Sequence, residues 1–221
     1  MRLHDNLWFV VAGWLAAAGP LAAQSPHPSP GVQIGYSRAD LGGGTGIPAG
    51  RREGTLAGVF VRGRLTHALS LQPELLFARK GGRLIVGADT TGDGVPDVTG
   101  VADLELAYIE APILLRLSLP RHRGAISPVV FGGVAPAFRI GCAAGATTST
   151  AGITLPDCQD KNVFGLRGVD IGLVAGGGIQ IQYARSVVSL EARFTAGLRG
   201  IGHDRNSVRN RALGILFGVT L

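Results

Sequence analysis

From Val169 to Leu198 the chain alternates between apolar and polar positions. Val169, Ile171, Leu173, Ala175, Ile179, Ile181 and Tyr183 fall on one side, against Asp170, Gly172, Gly176, Gly178, Gln180 and Gln182. After a break at Ala184-Arg185-Ser186, Val188, Leu190, Ala192, Phe194, Ala196 and Leu198 alternate with Ser189, Glu191, Arg193, Thr195 and Gly197. Side chains of a strand switch faces at each residue, so this is a hairpin with one oily and one wet face. Each arm can supply the ~9–11 residues with which a tilted strand crosses a bilayer. Such a hairpin belongs in a membrane β-barrel whose oily face meets lipid.

Composition agrees. Hydrophobic residues make up 46% of 221, and mean hydropathy is +0.28. Yet no apolar run after the first 25 residues could form a spanning helix. Thirty-five glycines suit the bends and crowded interior of a small closed barrel. The net charge of +6 and a pI near 10.1 raise the question of nucleic acid. The basic residues are scattered, many at alternating strand positions, with no basic run interleaved with aromatics, so no nucleic-acid partner is expected.

Residues 1–23 read as a secretory signal: Arg2, an apolar core from Leu7 to Ala16, and Leu21-Ala22-Ala23 before Gln24. Cleavage there would export the protein and permit disulfides. Residues 24–31 are a Pro/Ser-rich flexible lead, and 32–221 form the barrel. Eight strands are expected, near Val32–Asp40, Thr55–Leu65, Leu69–Lys80, Asp103–Leu119, Ile126–Ile140, the two arms of the hairpin, and Ala212–Leu221. Loops are expected at Gly42–Glu53, Gly81–Ala102, Gly141–Phe164 and Gly200–Asn210. The fold class is thus all-β, an eight-stranded antiparallel up-and-down transmembrane barrel, its connections alternately long and short. In the fourth strand Leu104, Leu106 and Tyr108 share one parity and Ile113, Leu115, Leu117 and Leu119 the other. A bulge near Tyr108–Pro112 would bring both sets to the lipid.

The inward polar set is Arg62, Arg64, Glu74, Lys80, Glu110, Arg116, Arg139, Asp170, Glu191 and Arg193. An eight-stranded barrel has an interior just wide enough for its side chains, and buried charges must be paired. A plug of salt bridges is the first reading; a narrow ion path or a proton-active pair is the second. Catalysis needs a base beside a nucleophile or an activated water. His27, His67, His122 and His203 are dispersed, and only His203-Asp204, near Ser207, offers an outside candidate, so no enzyme is expected. Asp89-Thr90-Thr91-Gly92-Asp93-Gly94-Val95-Pro96-Asp97 resembles the calcium loops of thrombospondin type 3 and dockerin-like repeats. Its oxygen ligands would be Asp89, Thr91, Asp93, the Val95 carbonyl and Asp97. Gly100 stands at the twelfth position, where an acid is expected. The alternative is a Gly-Asp-Gly turn in an exposed loop; no other cofactor is implied. Cys142 and Cys158, the only cysteines, lie in one exported loop and are expected to form a disulfide.

Leu71-Gln72-Pro73-Glu74-Leu75-Leu76-Phe77, Tyr108-Ile109-Glu110-Ala111-Pro112-Ile113-Leu114-Leu115, Asp170 through Gly178 and Phe194-Thr195-Ala196-Gly197-Leu198 follow in an order that resembles the PorT-like outer-membrane beta-barrel family. The resemblance covers Val32 to Leu221 and implies a small eight-stranded barrel in a Gram-negative outer membrane. Some members assist protein secretion, and the family supplies no catalytic residues. The sequence departs in thin aromatic girdles, with Tyr36, Tyr108, Tyr183 and a few phenylalanines, and in Leu221, where phenylalanine is common.

The expected protein is a monomeric outer-membrane barrel with a structural or loop-mediated binding role. Its partners would be outer-membrane lipid and, during insertion, the barrel-assembly machinery. The rivals are a narrow porin-like channel and a soluble periplasmic barrel of lipocalin shape.

Overall fold

The computed structural model describes residues 28–42, 48–88, 98–119, 125–148, 168–183, 186–200 and 209–221. Nine strands are formed: β1 (Ser29–Gly42), β2 (Pro48–Arg64), β3 (Leu69–Ala88), β4 (Val98–Glu110), β5 (Ile113–Ser118), β6 (Ile126–Thr148), β7 (Val169–Tyr183), β8 (Ser186–Gly200) and β9 (Arg209–Thr220). All pairings are antiparallel. β4 and β5 together occupy one place between β3 and β6, and β9 closes on β1, giving a ring of eight. Closure matters because a sheet edge in lipid would leave backbone groups unsatisfied.

The alternation read from sequence sorts the two faces. A cross-strand row Ala57–Ile34–Phe217–Leu190–Ile179 runs outward across five neighbouring strands without a polar side chain. Ile215 is 58% exposed, and Val32, Val59, Leu75, Val130, Leu173 and Phe194 are exposed with it. A water-soluble barrel would bury such a band, so the exterior is built for a bilayer core.

The stave made by β4 and β5 corrects the sequence reading, because the bulge expected near Tyr108–Pro112 is not there. β3 keeps one register against both pieces, Leu76 with Glu110 and Pro73 with Ile113. So does β6, Ala137 with Glu110 and Val134 with Ile113. Proline 112 has no N–H to give. Its carbonyl nevertheless accepts from the Glu74 N–H at 2.9 Å, and the Ala111 N–H donates to Pro136 at 2.8 Å, so the ladder runs through. Even-numbered residues therefore point inward from Leu106 to Arg116. Leu106 (0% exposed) and Tyr108 (2%) fill the lumen rather than face lipid. Inside so narrow a barrel the volume must be filled by something, and apolar side chains serve there too. A bulge does occur one strand over: Ala107 pairs Gly141 and Tyr108 pairs Arg139, leaving Ile140 as the extra residue of β6.

Strands also run beyond their expected ends. β1 starts at Ser29, inside the expected lead, with Ser29 opposite Arg62. β2 begins at Pro48, and β3 and β4 stay paired out to Ala88 and Val98. β6 continues to Thr148, so Cys142 is a strand residue, opposite Leu106, and not part of a loop. Backbone ladders do not depend on side-chain polarity. Pairing therefore continues after the alternation of apolar and polar residues has faded.

The first strand residue, Ser29, and Leu221 both lie at the end where Leu65–Ala68 turns tightly. The strand ends on either side of 43–47, 89–97, 149–167 and 201–208 lie at the other end, the extracellular one in such barrels.

Candidate functional site

Ion pairs cross the lumen between β3, the β4–β5 stave and β8. Arg116 of β5 donates from Nη1 and Nη2 to the two carboxylate oxygens of Glu191 on β8, at 3.1 and 2.6 Å. Arg193, two residues further along β8 and on the same face, donates in the same forked way to Glu74 of β3, at 2.8 and 2.9 Å. Glu74 also accepts from Gln72 Nε2 at 2.7 Å, and Gln72 Oε1 accepts from Arg62 Nε of β2 at 2.9 Å. Arg116 is fully buried, and Glu191, Arg193 and Glu74 are nearly so. Paired forks of this kind satisfy both charge and geometry where water is scarce.

Phe131 of β6 lies against both guanidinium groups, with Arg116 Cζ 5.0 Å and Arg193 Cζ 5.6 Å from its ring centroid. The negative ring face adds to the stabilisation of both cations. Room for the ring comes from Gly176 on β7. A Cβ there would stand 2.5 Å from Phe131 Cζ and collide with the Ala192 carbonyl. Sequence reasoning did not name Phe131. The signal was present, since Val129 and Phe131 take the parity opposite to the lipid-facing Val130 and Val134.

Towards the long-loop end, Lys80 pairs with Glu110, both buried. Two adjoining small cavities share this pair and Thr195, and Tyr108, Asp170 and Asn210 line one of them. Each has room for on the order of one water molecule. Arg139 and Asp170 are half-buried near this end, each with an interaction partner. Arg64 is exposed at the opposite end and is also partnered. The ten expected lumen charges therefore separate into a tight central set, one upper pair, and peripheral members.

On the outer surface above the lipid band, Arg52 of β2 pairs with Asp103 and, at 2.5 Å, with Glu105, both on β4. It reaches across β3 where that strand carries Gly81, opposite Glu105. Gly81 has φ 145°, a conformation that favours glycine.

The other expected sites are less accessible. Asp89, Thr91, Asp93, Val95 and Asp97 lie outside the described residues, as do residues 1–23, His122, His203, Asp204 and Ser207. The described strands hold Ala88 and Val98, the residues on either side of that segment, opposite one another. His67 is in the Leu65–Ala68 turn. Cys142 is not a free thiol, and its expected partner Cys158 lies outside the described residues.

No curated protein matches the chain. Among solved structures it is similar to neisserial surface protein A, at 16% identity and TM-score 0.47, over 88% of this chain and 98% of that one. It is also similar to the attachment invasion locus protein Ail of Yersinia pestis, at 11% identity and TM-score 0.40, over 88% and 97%. The N-terminal β-barrel domain of Pseudomonas aeruginosa OprF gives 11% identity and TM-score 0.35, over 85% and 96%. A family model, the outer membrane protein beta-barrel domain, matches residues 31–201. That span runs from β1 past the end of β8, and with the closed ring and its apolar exterior it leaves one conclusion: the chain belongs to the outer membrane protein beta-barrel domain family.

Proposed function

We propose that this outer-membrane protein is a closed, non-catalytic barrel. Its work is done at its extracellular end, by the strand extensions and the connections they carry. One observation carries the reading: the Arg116–Glu191 and Arg193–Glu74 forks span the lumen, with Phe131 against both guanidinium groups. A solute would have to separate buried pairs to pass, each separation leaving a charge without its partner. The extension of β3, β4 and β6 past the lipid band supports display of a binding surface outside the membrane. The motif runs around Pro73, Pro112 and Gly176 support a PorT-like membership, in which some members assist secretion. Removal of residues 1–23 by signal cleavage and insertion by the barrel-assembly machinery belong to the same reading.

The test is electrical. Purified protein reconstituted into planar bilayers should give no stepwise conductance, and liposomes carrying it should not swell in small sugars. Regular single-channel steps from the unaltered protein would replace this reading with a narrow channel.

A further inference from the structure

Above the lipid-facing band, charged residues are unevenly distributed around the barrel. On neighbouring strands β2, β1 and β9, the residues just beyond the apolar band are Arg38, Arg51, Arg209 and Arg211, with Asp40 and Glu53 among them. Arg38 follows Tyr36 on the outward face of β1, and Arg211 precedes Leu213 on that of β9. Two residues of strand advance ~6.8 Å, so these guanidinium groups stand one step above the last lipid-facing side chains. Four arginines against two acids leave a net +2 on this patch. Arg51 lies 3.7 Å from Asp40, and Asp40 is paired in register with Arg211. Arg38, Arg209 and Arg211 form no ion pair with an acid among the described residues. At the corresponding height on β6, β7 and β8 the outward residues are Ile140, Val169 and Leu198. Among the described residues, the outward cations without an acid partner therefore stand together on β1 and β9, while Arg79 and Arg83 of β3 face Glu105 and Asp103 at 3.7 and 3.8 Å.

We infer that this patch is a binding site for the phosphate groups of outer-leaflet lipid. Three features select that occupant. The patch continues directly from a surface already covered by acyl chains. Its excess charge is positive, and arginine forks match phosphate oxygens in pairs. Arg38 and Arg211 are diagonal neighbours across the β1–β9 pair, within mutual reach of one headgroup. The long stems let each arginine lie along the apolar surface while its head stays at headgroup level.

The experiment uses the purified full chain in neutral detergent, with bis-phosphorylated lipid A as probe and native mass spectrometry as readout. Basic residues near a phosphate surface each contribute about fivefold in affinity, so Arg38→Gln with Arg209→Gln and Arg211→Gln should weaken binding on the order of 100-fold. Asp40→Asn should act in the opposite direction, tightening it by about fivefold. Gel mobility that shifts on heating shows whether each variant is a folded barrel. Dephosphorylated lipid A should bind no better to the unaltered protein than to the triple variant, and inorganic phosphate should compete weakly. Equal binding of both lipid forms, an unchanged triple variant, or full competition by inorganic phosphate would each overturn the assignment.

Discussion

Arg116 and Glu191, 75 residues apart in sequence, meet in the middle of the barrel in a two-pronged contact, and neither has appreciable contact with solvent. Glu191→Ala removes the acceptor and strands Arg116 beside Phe131. The expected cost is ~3–5 kcal/mol, seen as a lower melting midpoint in detergent. Replacing both partners, Arg116→Met with Glu191→Leu, should recover most of that loss, since an apolar pair of similar volume needs no compensation. A single variant that kept its midpoint and only gained conductance would remove the plug reading.

Tyr108 and Ile109 test the corrected stave. The continuous register sends Tyr108 into the lumen and leaves Ile109 on the lipid side. Spin labels attached at Tyr108→Cys and Ile109→Cys, in a background lacking the native cysteines, should differ sharply. The Ile109 label should be relaxed by oxygen dissolved in the bilayer and the Tyr108 label should not. The reverse pattern would restore a bulge between Tyr108 and Pro112.

The lipid face was legible because it imposes a strict period of two on every strand. Val32, Val59, Leu75, Val130, Leu173, Phe194 and Ile215 all came out where alternation put them. The interior imposes no such rule. It accepts Leu106 and Tyr108 beside Glu110 and Arg116, so polarity alone misassigned the first half of that stave. Which inward charge meets which is set by barrel stagger, and no spacing in the sequence links Arg193 to Glu74 across 119 residues. Strand ends beyond the membrane were hidden for a related reason. At Val98–Asp103 and Ala143–Thr148 the ladder persists although the sequence no longer alternates.

Cys142 now has a firm place in β6, opposite Leu106, near the extracellular end. A bond to Cys158 would tie the β6–β7 connection back onto the barrel wall. Closing a loop of this size contributes on the order of 3 kcal/mol by restricting the unfolded chain. Denatured, unreduced protein should therefore resist thiol alkylation and take up two labels only after reduction. Stoichiometric labelling without reductant would show that the two sulfurs are not joined.

Calcium at Asp89–Asp97 is the remaining expectation, and the fold bears on it in one respect. Pairing of Ala88 with Val98 holds the ends of the segment side by side. Asp89 and Asp97 are then the residues next to that closing pair, with Asp93 between them in the sequence. Carboxylates gathered on so short a connection repel each other, and a hard cation with oxygen ligands relieves that repulsion. Thr91 is a poorer ligand than an acid, and Gly100, inside β4, supplies no twelfth-position carboxylate. The affinity should accordingly fall at the ~10⁻⁴–10⁻³ M end of calcium modules, suited to an extracellular setting. Millimolar calcium should slow proteolysis within this segment, magnesium should do so less, and Asp93→Ala should abolish the protection while leaving heat-shifted gel mobility intact. Equal digestion in calcium and in chelator would leave a plain Gly-Asp-Gly turn at the tip of the hairpin.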